Sequence, residues 1–193
     1  MKKILLCSVL FFIVFNSYGQ STYNYYLTFD NGPFIIYDFG YGADTTYYPD
    51  SLYISIDTID YHNNQWQIGR PQKTIFNSAY SYPNAIVTDT LHPCLPNDTS
   101  VFIITTPSMY FGGEFSFEYE LNIDSGDFAT VEISEDGGAN WVNLLTGSTS
   151  ITGWENFSAS FDDTSFSYFY LFRFTLITDS NTSPRDGWMM DNG

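Results

Sequence analysis

Positive charge is what this sequence has least of. Lysine and arginine together number 6 against 22 acidic residues, for a formal net charge of −16. Two of those cations, Lys2 and Lys3, stand at the extreme N-terminus, and from residue 20 onward only Arg70, Lys73, Arg173 and Arg185 remain. Phosphate backbones and anionic lipid surfaces both require clustered cations, so neither nucleic acid nor a membrane surface is expected as a partner. The acidic excess serves mainly solubility, and its other use is as carboxylate ligands for a cation. Cysteine is nearly as scarce, with only Cys7 and Cys94, and so is histidine, with only His62 and His92.

Long apolar runs are missing except at the start, where Ile4–Phe15 follows Lys2 and Lys3 and precedes the small residues Ser17 and Gly19. That is the layout of an export signal cut after Gly19, with Gln20 the new terminus. Cys7 follows Leu6, which is not small, and the apolar run continues past it, so it does not read as a lipoprotein cysteine. Cleavage would leave 193 − 19 = 174 residues and move the net charge from −16 to −18, because both lysines and no acid leave. The mature chain is expected to be secreted or at the cell surface, with no membrane insertion. Cys94 is then the single thiol, no intramolecular disulfide can form, and the fold must rest on its core. With Pro93 and Leu95 beside it and no neighbouring base, Cys94 reads as a loop thiol rather than a nucleophile.

What the chain has instead is aromatic residues, 20 % of the total, set in period-two runs. In Phe115–Asn122, Phe115, Phe117, Tyr119 and Leu121 alternate with Ser116, Glu118, Glu120 and Asn122. Leu52–Ile59, Ala129–Ser134 and Trp154–Phe161 behave alike, while Tyr168–Thr178 is apolar on both faces and predicts a central strand covered on both sides. Ser134-Glu135-Asp136-Gly137-Gly138-Ala139-Asn140-Trp141 predicts a tight hairpin, with Asp136 turned onto backbone amides and the two glycines free to take positive φ. Turn clusters separate the strands about every ten residues, and no helical stripe or internal repeat interrupts them. The expectation is an all-β fold, an antiparallel two-sheet sandwich forming a single domain over residues 20–193. Residues 20–62 are a less typical, tyrosine-rich lead-in to a core over 63–193.

A family resemblance spans about two thirds of the chain. Its marks, in order, are Trp66-Gln67-Ile68-Gly69-Arg70-Pro71, Ala79-Tyr80-Ser81, Ala85-Ile86-Val87-Thr88, Ser100–Ile103, Thr106-Pro107, Phe115–Leu121, Asp127 and the Ser134–Trp141 hairpin. Arg173-Phe174 and Asp186-Gly187-Trp188-Met189-Met190-Asp191 complete the set. This order resembles the MAM-like jelly-roll modules attached to secreted metallopeptidases of the immune inhibitor A type, and similar modules of Bacteroidota surface proteins. The resemblance implies a two-sheet jelly roll, concanavalin- or galactose-binding-like, serving adhesion, glycan binding or substrate targeting. It does not imply the peptidase, since the His-Glu-x-x-His helix is absent. Family members continue past the Asp191-Asn192 pair into another strand, so the chain is expected to lack its last strand. The resemblance further implies a structural calcium, for which Asp30, Asp127 and Asp191 are the candidates. Their alternative role is turn capping.

Exposed aromatics suit a sugar face, and Trp66, Tyr80, Tyr82 and Trp154 are the candidates for ligand binding, with core packing the alternative for each. Tyr80 and Tyr82, in a Pro/Asn/Ser loop, are the least core-like. The Ser134–Trp141 run also matches the Asp-box of sialidases, but one copy cannot build a propeller and the arginines are too few for their chemistry. Glu118 with Glu120, and Glu132 with Glu135, read as solvated faces rather than a glycosidase pair. The chain is therefore expected not to be an enzyme, with glycan or extracellular protein as partner. A spacer positioning a neighbouring catalytic or sorting domain is the alternative.

Overall fold

The computed structural model describes residues 53–56, 58, 60–106, 113–161 and 170–191. The expected signal segment, Asp30 and most of the lead-in fall outside the described residues, as do residues 192 and 193. Among the described residues ten antiparallel strands build two five-stranded sheets packed face to face as a jelly-roll sandwich. One sheet runs β1 (Tyr53–Ile56), β4 (Thr99–Thr105), β9 (Leu171–Ile177), β6 (Phe128–Ser134), β7 (Val142–Gly147). The other runs β2 (Trp66–Gly69), β3 (Ala85–Thr88), β10 (Gly187–Asp191), β5 (Gly113–Asn122), β8 (Ile151–Phe161).

The sandwich follows from the alternation. In β5, Phe117, Tyr119 and Leu121 turn inward and are buried, while Glu118 and Glu120 face out. Within one sheet Phe102 stacks on its register partner Phe174 at 4.4 Å, and across the interior Phe115 stacks on Phe172 at 4.1 Å. Burying each such ring stabilises the fold by about 1.5–3 kcal/mol, which is how a domain without disulfides holds together.

β9 is central, between β4 and β6, as its composition predicts, and among the described residues one of its faces is buried and the other half-covered. Phe172, Phe174 and Leu176 are buried, Arg173 is half-exposed and Ile177 lies in the open. The Arg173–Glu132 pair at 2.7 Å lies on that outer face, where the Trp141 ring packs against the guanidinium.

The Ser134–Trp141 hairpin forms as read. Ser134 Oγ accepts the Gly138 amide at 2.8 Å, and the Asp136 carboxylate accepts both the backbone and side-chain amides of Asn140. Those donors hold the Asp136 carboxyl down at about 2. The Arg173 guanidinium lies 4.1 Å from the Trp141 ring centre and clips the hairpin to β9.

Candidate functional site

The outer face of the β2-β3-β10-β5-β8 sheet carries a second, smaller apolar cluster. Ala85, Val87 and Met189 point outward from β3 and β10, where Phe76 and Ala79 of the β2–β3 loop cover them. Trp154 of β8 packs against the same cluster, half-buried. The loop, residues 70–84, therefore lies down on the sheet rather than standing away from it.

Two carboxylates near the ends of β10 fix the loop there. At one end Asp186 Oδ2 accepts the amides of Ile75 and Phe76 at 2.7 and 2.9 Å. At the other end the fully buried Asp191 accepts the Ser81 amide at 2.6 Å and the Ser81 hydroxyl at 3.0 Å. Lys73 adds a third tie, its ammonium donating to the carbonyl oxygens of Thr88 and Asp186. Burial pulls the Lys73 pKa down from 10.5 to about 8, while the nearby Asp186 charge acts in the opposite direction. The run Asp186–Asp191 thus does three jobs. Trp188 and Met190 fill the main core, Met189 supports the loop, and the flanking aspartates hold it.

The side chains on either side of Ser81 point to solvent. Tyr80 is 53 % exposed and Tyr82 is 68 % exposed, in a segment whose middle amide is tied to a buried carboxylate. Tyr80 meets Trp154 edge-on at 5.5 Å, and the Arg70 guanidinium lies over the Tyr82 ring at 5.4 Å. Three of the four aromatic candidates are brought near this loop. Trp66 is the correction: it is 3 % exposed, packed edge-on against Phe102 at 4.7 Å, and cannot touch a ligand. Its residue pattern explains why, because Trp66 and Ile68 share the face of β2 that joins the main core.

Of the candidate calcium aspartates Asp30 lies outside the described residues, and Asp127 and Asp191 do not come together. Asp127 is buried beside the β5–β6 turn, its two oxygens accepting the amides of Asp124 and Asp179 at 2.8 and 2.9 Å. Asp191 lies at the opposite end of β10, which spans Gly187–Asp191, or about 13 Å at the strand rise. The two cannot share one ion, and both serve as caps for backbone amides. Among the described residues no group of three or more His, Cys, Asp and Glu side chains is gathered to hold a metal.

Of the carboxylates weighed for catalysis, Glu118 and Glu120 lie half-buried on the outer face of β5, Glu132 on that of β6, and Glu135 in the turn that follows. Glu118 accepts the Asn156 side-chain amide at 3.0 Å, partial burial raises the Glu120 carboxyl, and Glu132 pairs with Arg173. Burial pushes the Cys94 thiol up to about 11, so it stays protonated and unreactive at neutral pH.

No protein-family model and no curated protein matches the chain. Solved structures similar to it include TmCBM61 in complex with beta-1,4-galactotriose, at 12 % identity and a TM-score of 0.43, covering 73 % of this chain and 85 % of that one. The K2 cleaved adhesin domain of Lys-gingipain is similar at 12 % identity and a TM-score of 0.44, covering 77 % and 91 %. The K3 domain of the same protein, from Porphyromonas gingivalis, follows at 10 % identity and a TM-score of 0.37, covering 71 % and 94 %. Identities and scores this low do not carry any neighbour's ligand over to this chain.

Proposed function

We propose that this chain is an exported, non-catalytic recognition module of the MAM-like type, and that its β2–β3 loop binds saccharides. One observation carries the reading: Tyr80 and Tyr82 are exposed to solvent on a segment that is itself anchored, through Ser81, to the buried Asp191. Large aromatic rings in water are normally left on mobile loops or folded into cores. Here the backbone is held while the rings stay open, which is the arrangement that lowers the ordering cost of binding. A pyranose offers an apolar C–H face to such a ring and hydroxyls to the polar groups around it.

Each stacked ring contributes about 0.5–1.5 kcal/mol beyond its buried area, so two tyrosines support an affinity nearer millimolar than nanomolar. Function then depends on polymeric ligands and on repetition of the contact. The test is a glycan array read with the wild-type protein and with the double variant Tyr80→Ala/Tyr82→Ala. Binding to a defined saccharide class that the double variant loses while its fold is retained is the expected result. Equal binding by both proteins removes the loop from recognition.

A further inference from the structure

We infer that Arg70 makes this loop selective for saccharides that carry carboxylates, the uronic-acid polymers. The inference rests on the saccharide-binding reading of Tyr80 and Tyr82 and adds the charge of the ligand.

The chain has 22 acidic residues against 6 basic ones, so an exposed arginine has many chances of an acidic neighbour. The other fixed cations of the described region are all occupied. Arg173 pairs with Glu132 at 2.7 Å, Arg185 stands 3.8 Å from Asp124, and Lys73 is buried against two carbonyl oxygens. Arg70 is exposed and has no carboxylate within ion-pair distance among the described residues. It lies instead over the face of Tyr82, 5.4 Å from the ring centre. Pro71, buried, follows it directly and fixes the chain where it leaves β2.

A guanidinium stacked on an aromatic ring keeps its in-plane N–H donors free at the edge. Those donors match a carboxylate in a two-point contact, the strongest ordinary hydrogen-bonded pair. A uronic acid presents both halves of the complement on one ring: a C–H face for a tyrosine and a carboxylate at C5 for the arginine. The acidic charge elsewhere does not forbid this, because salt at physiological strength screens exposed charges beyond about 8 Å. Asp186 and Asp191, the acids hydrogen-bonded to the loop, are both buried and turned to its amides.

The experiment titrates the purified protein, by calorimetry or affinity electrophoresis, with polygalacturonate and polymannuronate and with the carboxyl-reduced form of each. Reduction converts the carboxylate to an alcohol and keeps the ring for stacking. At least one uronan should bind about tenfold more tightly than its reduced form, the ratio of a charge-assisted contact to none. Arg70→Ala should erase that ratio, leaving the reduced polymer bound as before, and Arg70→Lys should keep only part of it. The solvent position of Arg70 means neither variant disturbs the fold, which a thermal melt confirms. If native and reduced polymers bind alike and Tyr82→Ala abolishes both, the charge inference fails and the aromatic reading stands. If wild type and Tyr82→Ala behave identically towards every polymer, both fail. Binding of a sulfated galactan with no uronan binding also overturns the carboxylate assignment.

Discussion

Replacing Asp191 should free the Tyr80–Tyr82 segment while leaving the sandwich standing. The Asp191 carboxylate is fully buried and accepts the Ser81 amide at 2.6 Å and the Ser81 hydroxyl at 3.0 Å. Hydrogen bonds to a charged group each contribute about 1.5–3 kcal/mol, and alanine removes the acceptor from both Ser81 donors. We expect Asp191→Ala to lose about 3 kcal/mol of local stability. The first half of the loop keeps its tie through Asp186 to Ile75 and Phe76, so the effect should concentrate around Ser81. By hydrogen exchange the Ser81 amide should lose about a hundredfold of its protection, with the β4 and β9 amides barely changed. Asp191→Asn retains an oxygen for the amide and a donor for the hydroxyl without the charge, so it should fall between, at about 1 kcal/mol. Saccharide affinity should follow the same order, since the rings must then be ordered on binding. Unchanged Ser81 exchange in the alanine variant would refute the claim that Asp191 anchors the loop.

Other consequences are separable from this one. Lys73 releases its proton near 8 when folded but near its ordinary 10.5 when unfolded, so between those values the unfolded state binds more protons. Wild type should therefore gain about 3 kcal/mol of stability relative to Lys73→Met as pH rises from 8 to 10.5, measured by urea midpoints at each pH. A difference that stays flat over that window would contradict the buried charged lysine. Trp66→Ala should cost about 3–5 kcal/mol and lower Tm sharply, with no preferential loss of saccharide affinity in the protein that remains folded. Calcium, proposed from the resemblance, is decided by melting in calcium and again in chelator. A structural calcium predicts a lower Tm in chelator, and equal melts would sink it and leave Asp127 and Asp191 as caps of backbone amides alone.

Features written in consecutive residues were legible before the structure. The Ser134–Trp141 hairpin closes on its own side chains, and the period of two in Phe115–Asn122 states which face is dry. The Ser, Pro and Asn around Tyr80 and Tyr82 place them on a loop, and they lie exposed on one. Trp66 went astray although the signal was present, because Trp66 and Ile68 alternate with Gln67 and Gly69 as a core-facing strand does. Tyr168–Thr178 went astray in the other sense. Its apolar outer positions suggest a full cover, whereas among the described residues that face is half-buried, with Arg173 paired to Glu132 beneath Trp141. The loop anchors were beyond local reading, since Ser81 meets Asp191 across 110 residues and Ile75 meets Asp186 across 111. Only the order of strands, which sets β10 beside β3, brings those partners together.

The most direct test of the account is to locate a bound saccharide on the molecule. Backbone and ring resonances of the protein, titrated with the saccharide selected on the array, should shift first at Arg70, Tyr80, Ser81, Tyr82 and Trp154, with the opposite sheet silent. Shifts centred elsewhere, for instance on the exposed Phe128 and Ile177 paired across β6 and β9, would contradict the claim that the anchored loop is the recognition site.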